Sequence, residues 1–166
     1  MKKSILVILL ASILLAAGCG PGGQAQGDTQ KESFVFEYNG VEINLHADAA
    51  TIIEELGEPM DYFEAESCAF QGLDKTYFYG GFELTTYPKD SDTDCVSVIY
   101  FNDDSVSTRE GIYIGSPEAD VVEAYGDDYT GGGGSYTYTQ DEGSIMFVIE
   151  DGAVASITYQ AIVEGM

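Results

Sequence analysis

The chain has 166 residues, of which 29 are Asp or Glu and only 6 are Lys or Arg, giving a formal net charge of -23 at pH 7. Phosphate binding needs clusters of basic side chains, so this composition excludes a nucleic acid as an expected partner. It leaves a basic protein, a cationic peptide or a metal ion open, beside the plainer interpretation that the acids keep an exported domain soluble.

The N-terminus has the pattern of an export signal. Met1, Lys2 and Lys3 form a short positive start. An apolar run of roughly 13 residues follows, from Ile5 to Ala17, and it is too short for the ~20 residues that span a bilayer. We therefore expect residues 1–18 to be a signal peptide.

The apolar run ends in LAAGC, residues 15–19. This stretch resembles the lipobox of bacterial lipoproteins, in which small residues precede a cysteine that receives a lipid, although Ala16 stands where that family prefers Leu. The resemblance implies lipidation at Cys19 and a location at the cell membrane, on its extracytoplasmic face, with the lipid as the only membrane contact. The alternative is an ordinary secretory signal in which Cys19 is incidental.

Residues 19–33 are predicted to be a flexible linker after the lipidated cysteine. The stretch GPGGQAQGDTQKES is rich in Gly, Gln and Ser and has almost nothing to bury. The remaining residues, 34–166, are enough for one globular domain.

Two short helices are predicted in that domain. The stretch DAATIIEELG has apolar residues at i, i+3, i+4 and i+7, with Asp48 as N-cap and Gly57 as the stop. The stretch SPEADVVEAYG repeats the pattern, with Ser116 as the cap, Pro117 in the first turn and Gly126 as the stop.

Alternating segments rich in Tyr, Phe, Val, Ile and Thr follow each helix and predict strands. They are TYFYGGFELTTYP and CVSVIYF after the first helix, and YTYTQDEGSIMFVIE and VASITY after the second. Asn39-Gly40 and Asp151-Gly152 lie between such segments and predict type I′ hairpins, so we expect antiparallel pairing.

The sequence therefore predicts an α+β fold. Its expected form is two tandem helix-plus-antiparallel-meander repeats, about 41–103 and 108–160, that build one curved sheet with the helices on one face. The other face would be left to solvent or to a partner. We expect a monomer.

Cys68 and Cys95 are predicted to form a disulfide, because the chain is exported to a compartment where disulfides persist. Such a bond would stabilise the domain by about 3 kcal/mol. The alternative is a reactive thiol with His46 as its base, although no positive or nucleophilic setting surrounds either cysteine in the sequence.

Tyrosines in the strand segments are the candidate binding surface, because tyrosine offers a large, rigid contact area that tolerates water. Half-buried sheet tyrosines are the alternative interpretation. Strict alternation places Tyr77 and Tyr79 on one face and Phe78 on the other. The candidates are Tyr77, Tyr79, Tyr87, Tyr100, Tyr136 and Tyr138.

No metal site or cofactor is predicted. Asp90, Asp92 and Asp94 hold the first, third and fifth positions of an EF-hand-like loop, but Cys95 replaces the required glycine and Phe101 the closing acid. The three aspartates remain weak candidates for calcium.

No enzyme is predicted either. His46 is the single histidine, and neither a catalytic triad nor a zinc site is apparent around it. A carboxylate pair could hydrolyse a glycoside, but with 29 acids some pairs must be close by chance, and the chain has no Trp to form a sugar platform.

Three stretches carry a family resemblance: SCAFQGLDKTYFYGGFELTTYP, EGIYIGSPEADVVEAYGDDY and VASITY. They resemble an uncharacterised family of lipoproteins from Firmicutes. The twice-repeated helix and meander is also similar to the tandem-repeat fold of β-lactamase inhibitor protein and to the single unit of small envelope lipoproteins. The resemblance implies a lipid-anchored address and a sheet able to grip a protein, and it implies no reaction.

The sequence thus favours a membrane-anchored, extracytoplasmic lipoprotein that acts as a protein-binding or interaction module, with a protein or a cell-wall component as its partner. A cell-envelope hydrolase and a purely structural envelope lipoprotein are the alternatives. A pocket converging on His46 would favour the hydrolase.

Overall fold

The computed structural model describes residues 34–163 of the chain. The predicted signal peptide (1–18), the lipidation site Cys19 and the linker (19–33) lie outside these residues. The strands are β1 (Val35–Tyr38), β2 (Val41–Asn44), β3 (Asp61–Glu66), β4 (Leu73–Tyr79), β5 (Phe82–Pro88), β6 (Asp94–Phe101), β7 (Ser135–Gln140), β8 (Gly143–Glu150) and β9 (Ala153–Ala161). The helices are α1 (Ala49–Leu56) and α2 (Glu118–Tyr125).

Seven strands form one antiparallel sheet in the order β3-β4-β5-β6-β9-β8-β7, and β1 pairs only with β2. The predicted turns at Asn39-Gly40 and Asp151-Gly152 are confirmed, since all four residues have positive φ, between 51° and 84°. That geometry is the one a type I′ turn requires, and its twist matches that of the flanking strands.

The predicted fold class was wrong. The described residues are 48% strand and only 12% helix, so the domain is mainly β, without a clear α+β repeat. Four strands follow α1 but three follow α2, and the β1–β2 hairpin has no counterpart in the second half. Each helix has only eight residues, because Gly57 and Gly126 end them at positive φ, and two-turn helices cannot form a full layer.

An aromatic cluster joins the hairpin to the sheet. The Phe36 ring centroid lies 5.0 Å from those of Phe82 and Phe101, and all three side chains are fully buried. Ile52 of α1 and Val121 of α2 belong to the same core. Burial of each such side chain contributes about 1.5–3 kcal/mol, so the hairpin and both helices are held against one face of the sheet.

The two helix starts differ. Asp48 is the N-cap of α1, as predicted, and its Oδ1 accepts the Ala50 N–H at 2.9 Å. The cap predicted for α2 was wrong: the N-cap is Pro117, whereas the Ser116 Oγ accepts the Tyr113 N–H at 3.0 Å. Neither helix, nor any other within residues 34–163, has the length and apolarity to cross a bilayer.

Candidate functional site

The register of the sheet assigns each strand residue to one of two faces, because successive side chains alternate. The face against the helices and the β1–β2 hairpin, here called the covered face, carries one cross-strand row of Tyr77, Leu84, Ile99, Tyr159, Ile145 and Tyr138. All of them except Tyr77 are buried.

The opposite side, here called the open face, carries two rows. The first is Asp61, Phe78, Glu83, Tyr100, Thr158, Met146 and Thr137. The second is Phe63, Thr76, Thr85, Val98, Gln160, Ser144 and Thr139. None of these side chains is buried, so no part of the described chain packs over the two rows.

The predicted tyrosine surface does not assemble on one exposed face. Tyr79, Tyr87 and Tyr138 are buried, and Tyr77 and Tyr136 are half-buried on the covered face. Of the six candidates, Tyr100 alone lies in the two open rows, and it is 40% exposed. The alternation of Tyr77 and Tyr79 against Phe78 is as predicted, but the tyrosines face the core.

Packing explains why these tyrosines are inside. The hydroxyls of Tyr79 and Tyr138 donate to the carbonyl oxygens of Gly57 and Gly126, at 3.3 and 2.9 Å. Each sheet tyrosine therefore satisfies a carbonyl at the C-terminal end of a helix, where four carbonyls lack a partner within the helix. These hydroxyls have a structural role.

The exposed apolar surface is concentrated at β3, which the sequence did not identify as a strand. Met60 is 75% exposed, Tyr62 43% and Phe63 59%. All six residues of β3 are exposed, and the strand forms one edge of the sheet. The signal in DYFEAE is an adjacent pair of aromatic residues with acids on both sides, a pattern too short and too acidic to predict a strand by itself.

The predicted disulfide is absent. Cys68 is exposed in the connection between β3 and β4, whereas Cys95 is buried on β6, and both are free cysteines. Cys95 pairs across the strands with Tyr87, which lies against the ring of Phe70 at a centroid distance of 5.4 Å. Cys95 therefore lies buried beside Tyr87, while Cys68 is exposed to solvent.

His46, Tyr87 and Cys95 come together at one end of the sheet. The His46 Nδ1 lies 3.1 Å from the Tyr87 Oη, and Nε2 lies 2.9 Å from the Glu142 carbonyl oxygen. A carbonyl only accepts, so Nε2 carries the proton, and in the neutral ring Nδ1 accepts from Tyr87. Burial raises the pKa of the Cys95 thiol, which opposes thiolate formation. These hydrogen bonds hold the loop before α1 against the end of the sheet.

The calcium candidates lie at the β5–β6 turn, beside a shallow groove of about 300 Å³. Asp94 forms an ion pair with Lys75, N–O distance 2.6 Å, and Asp90 accepts the Asp92 N–H at 2.9 Å. Across residues 34–163, no group of three or more His, Cys, Asp or Glu side chains is arranged to hold a metal ion. The Asp90 carboxylate therefore orders the turn, and the Asp94 carboxylate holds the ion pair.

No protein-family model, curated protein or solved structure matches this chain. The resemblance to the lipoprotein family therefore stays a prediction.

Proposed function

We propose that this chain is a lipid-anchored, extracytoplasmic module that binds a basic protein through the open face of its sheet. Cys19 would carry the lipid, and residues 19–33 would place the domain away from the membrane surface. The observation that supports binding is the open face itself, an uncovered surface that extends across all seven strands.

The chemistry of the open face suits a protein surface better than a small molecule. It carries two exposed aromatic rings, Phe63 and Tyr100, among threonines, and they lie on the face of an extended sheet. Small-molecule sites are concave and enclose most of the ligand. Protein interfaces are flatter, and aromatic residues supply most of their binding energy.

Charge indicates the kind of protein. Asp61 and Glu83 lie in the first open row, and the whole chain carries -23. Opposite charge on a partner speeds association and excludes acidic competitors. We therefore expect a partner with a basic surface around an apolar centre.

The test is capture by the full-length chain, purified in detergent, from an envelope extract of the source cell. We expect one saturable partner whose affinity falls at least about tenfold in the Tyr100→Ser variant, which removes the ring without adding charge. Tyr113→Ser is the matched control, because Tyr113 is similarly exposed, at 45%, but lies outside the strands. Equal binding by the Tyr100→Ser variant, or absence of a saturable partner, would reject the proposal and leave a structural lipoprotein.

The anchor has its own test. The unchanged chain should incorporate a radiolabelled fatty acid in the source cell, and the Cys19→Ser variant should not, if the thiol carries the lipid. Equal labelling of the two chains, or no labelling of either, would contradict the anchor while leaving the binding surface untouched.

A further inference from the structure

The edge strand β3 presents main-chain groups that the sheet does not use. The Ser67 N–H bonds the Gly72 carbonyl at 3.0 Å, which fixes the alternation of the β3–β4 ladder. The main-chain groups that bond β4 therefore belong to Asp61, Phe63 and Ala65. The N–H and C=O groups that point away from β4 belong to Tyr62, Glu64 and Glu66. The Tyr62 N–H bonds the Asp61 carboxylate at 2.8 Å. The outward groups of Glu64 and Glu66 have no main-chain partner among the described residues.

The other edge of the sheet differs in this respect. Thr137 of β7 exchanges two main-chain hydrogen bonds with Thr130, at 2.8 and 2.9 Å. The ring of Tyr129 stacks on that of Tyr136 beside this pair, at a centroid distance of 4.2 Å. The chain itself therefore occupies part of the β7 edge, whereas on β3 the outward main-chain groups of Glu64 and Glu66 are open.

Apolar side chains flank the open edge on both faces. Phe63 lies on the open face, and Tyr62 lies on the other side, where its ring is 5.1 Å from that of Tyr77. An added strand would place its alternate side chains over these two rings, as in β-augmentation, where main-chain bonds supply affinity and alternate side chains supply specificity.

Charge selects among possible strands. Asp61, Glu64 and Glu66 are exposed on β3, and the neighbouring Lys75 is already paired with Asp94. A second copy of the chain is disfavoured as the added strand. If two β3 strands paired edge to edge in antiparallel orientation, the outward residues of one would face the outward residues of the other, and Glu64 would lie opposite Glu64. Like charges in directly opposed positions destabilise a strand pair. A strand rich in Lys or Arg would instead meet opposite charge at each of these positions.

We propose that β3 binds an extended, basic segment of a partner protein as an eighth strand of the sheet, through the outward main-chain groups of Glu64 and Glu66. This proposal rests on the proposed function, because it gives the mode by which the basic partner is held at the β3 end of the open face.

The test uses the full-length chain in detergent and a synthetic peptide that alternates Lys with Val. A second peptide carries the same side chains but N-methylated amides along one edge, which removes main-chain donors and keeps the charge. At physiological salt we expect the N-methylated peptide to bind at least about tenfold more weakly. Equal binding of the two peptides would overturn the proposal, and this arm does not depend on any variant folding.

The protein arm substitutes proline at an outward position. Glu64→Pro removes an outward N–H without removing a β3–β4 hydrogen bond. This variant should bind the peptide at least about tenfold more weakly than the unchanged chain does, and Glu64→Gln should reduce binding less. Thr139→Pro is the matched control, since Thr139 is exposed on β7 and the register directs its N–H outward as well. Loss of binding in the Thr139→Pro variant alone would place the docking edge at β7.

The two proposals fail in different ways. If binding of the captured partner is lost when Tyr100 is replaced but is unchanged in the Glu64→Pro variant, the open face binds the partner and the β3 edge does not. If neither the captured partner nor the peptide binds, the proposed function falls with the inference.

Discussion

Tyr159 is the residue at which a buried polar atom has no partner. Its side chain is 1% exposed in the middle of the covered face, and its Oη has no hydrogen bond among the described residues. Burial raises the pKa of Tyr159, with the Glu110 carboxylate adding to the effect, so the hydroxyl stays neutral. A neutral hydroxyl buried without a partner still costs free energy, because its bonds to water are lost on folding.

Removal of that hydroxyl should therefore stabilise the protein. We expect Tyr159→Phe to raise the free energy of unfolding by about 1 kcal/mol, measured by urea denaturation. Tyr138→Phe is the matched control: it removes a buried hydroxyl that does have a partner, the Gly126 carbonyl, and should lower the same quantity by about 1 kcal/mol. An equal decrease of the free energy of unfolding in both variants would show that the Tyr159 hydroxyl has a hydrogen-bond partner.

The two cysteines should react very differently. In the Cys19→Ser variant, in which only Cys68 and Cys95 remain, a maleimide should label the exposed Cys68 in the folded protein. Cys95 should react only after denaturation, because it is 2% exposed and burial raises the pKa of its thiol. Mass spectrometry counts the labels. A protein that accepts no label until it is reduced would carry the disulfide that the structure lacks.

At the scale of single elements, α1 depends on its cap. It has only eight residues, too few for a stable isolated helix, so each terminal interaction matters. We expect Asp48→Ala to lower the free energy of unfolding by about 1 kcal/mol, because the Ala50 N–H loses its acceptor. Glu55→Ala, an exposed change in the same helix, should have little effect in the same urea titration. Equal losses in the two variants would argue against capping.

Local signals in the sequence predicted the ends of the elements well. Gly57 and Gly126 end the helices, and Asn39-Gly40 and Asp151-Gly152 form hairpin turns, because positive φ is a property of a few residues. Ser116 was wrongly predicted to cap α2, because its hydroxyl instead accepts the Tyr113 N–H in the turn before that helix.

Long-range packing could not be predicted in this way. Alternation shows that Tyr77 and Tyr79 share a face of the sheet. Which face is covered depends on where the β1–β2 hairpin packs, and the sequence around Phe36 does not indicate the position at which it packs. The same limit hid β3, whose strand character comes from its pairing with β4. The candidate site therefore moved from the tyrosines to the open face and its β3 edge.

At the scale of the whole molecule, negative charge is the main unfavourable feature. The chain carries -23, and only two ion pairs, Lys75–Asp94 and Arg109–Glu42, occur over residues 34–163. Unpaired acids repel one another more strongly in the compact state than in the extended chain. Salt shortens the reach of that repulsion to about 10 Å at 0.1 M and about 3 Å at 1 M.

Added salt should therefore stabilise this protein. We expect the melting temperature of the full-length chain in detergent to rise by several degrees as sodium chloride increases from about 0.1 M to about 1 M, followed by circular dichroism. Potassium chloride should act equally, because screening depends on ionic strength. A variant that combines Asp127→Asn with Asp128→Asn, two adjacent exposed acids after α2, should melt higher at low salt and gain less from added salt. A melting temperature that falls with salt would mean that the two ion pairs outweigh the repulsion.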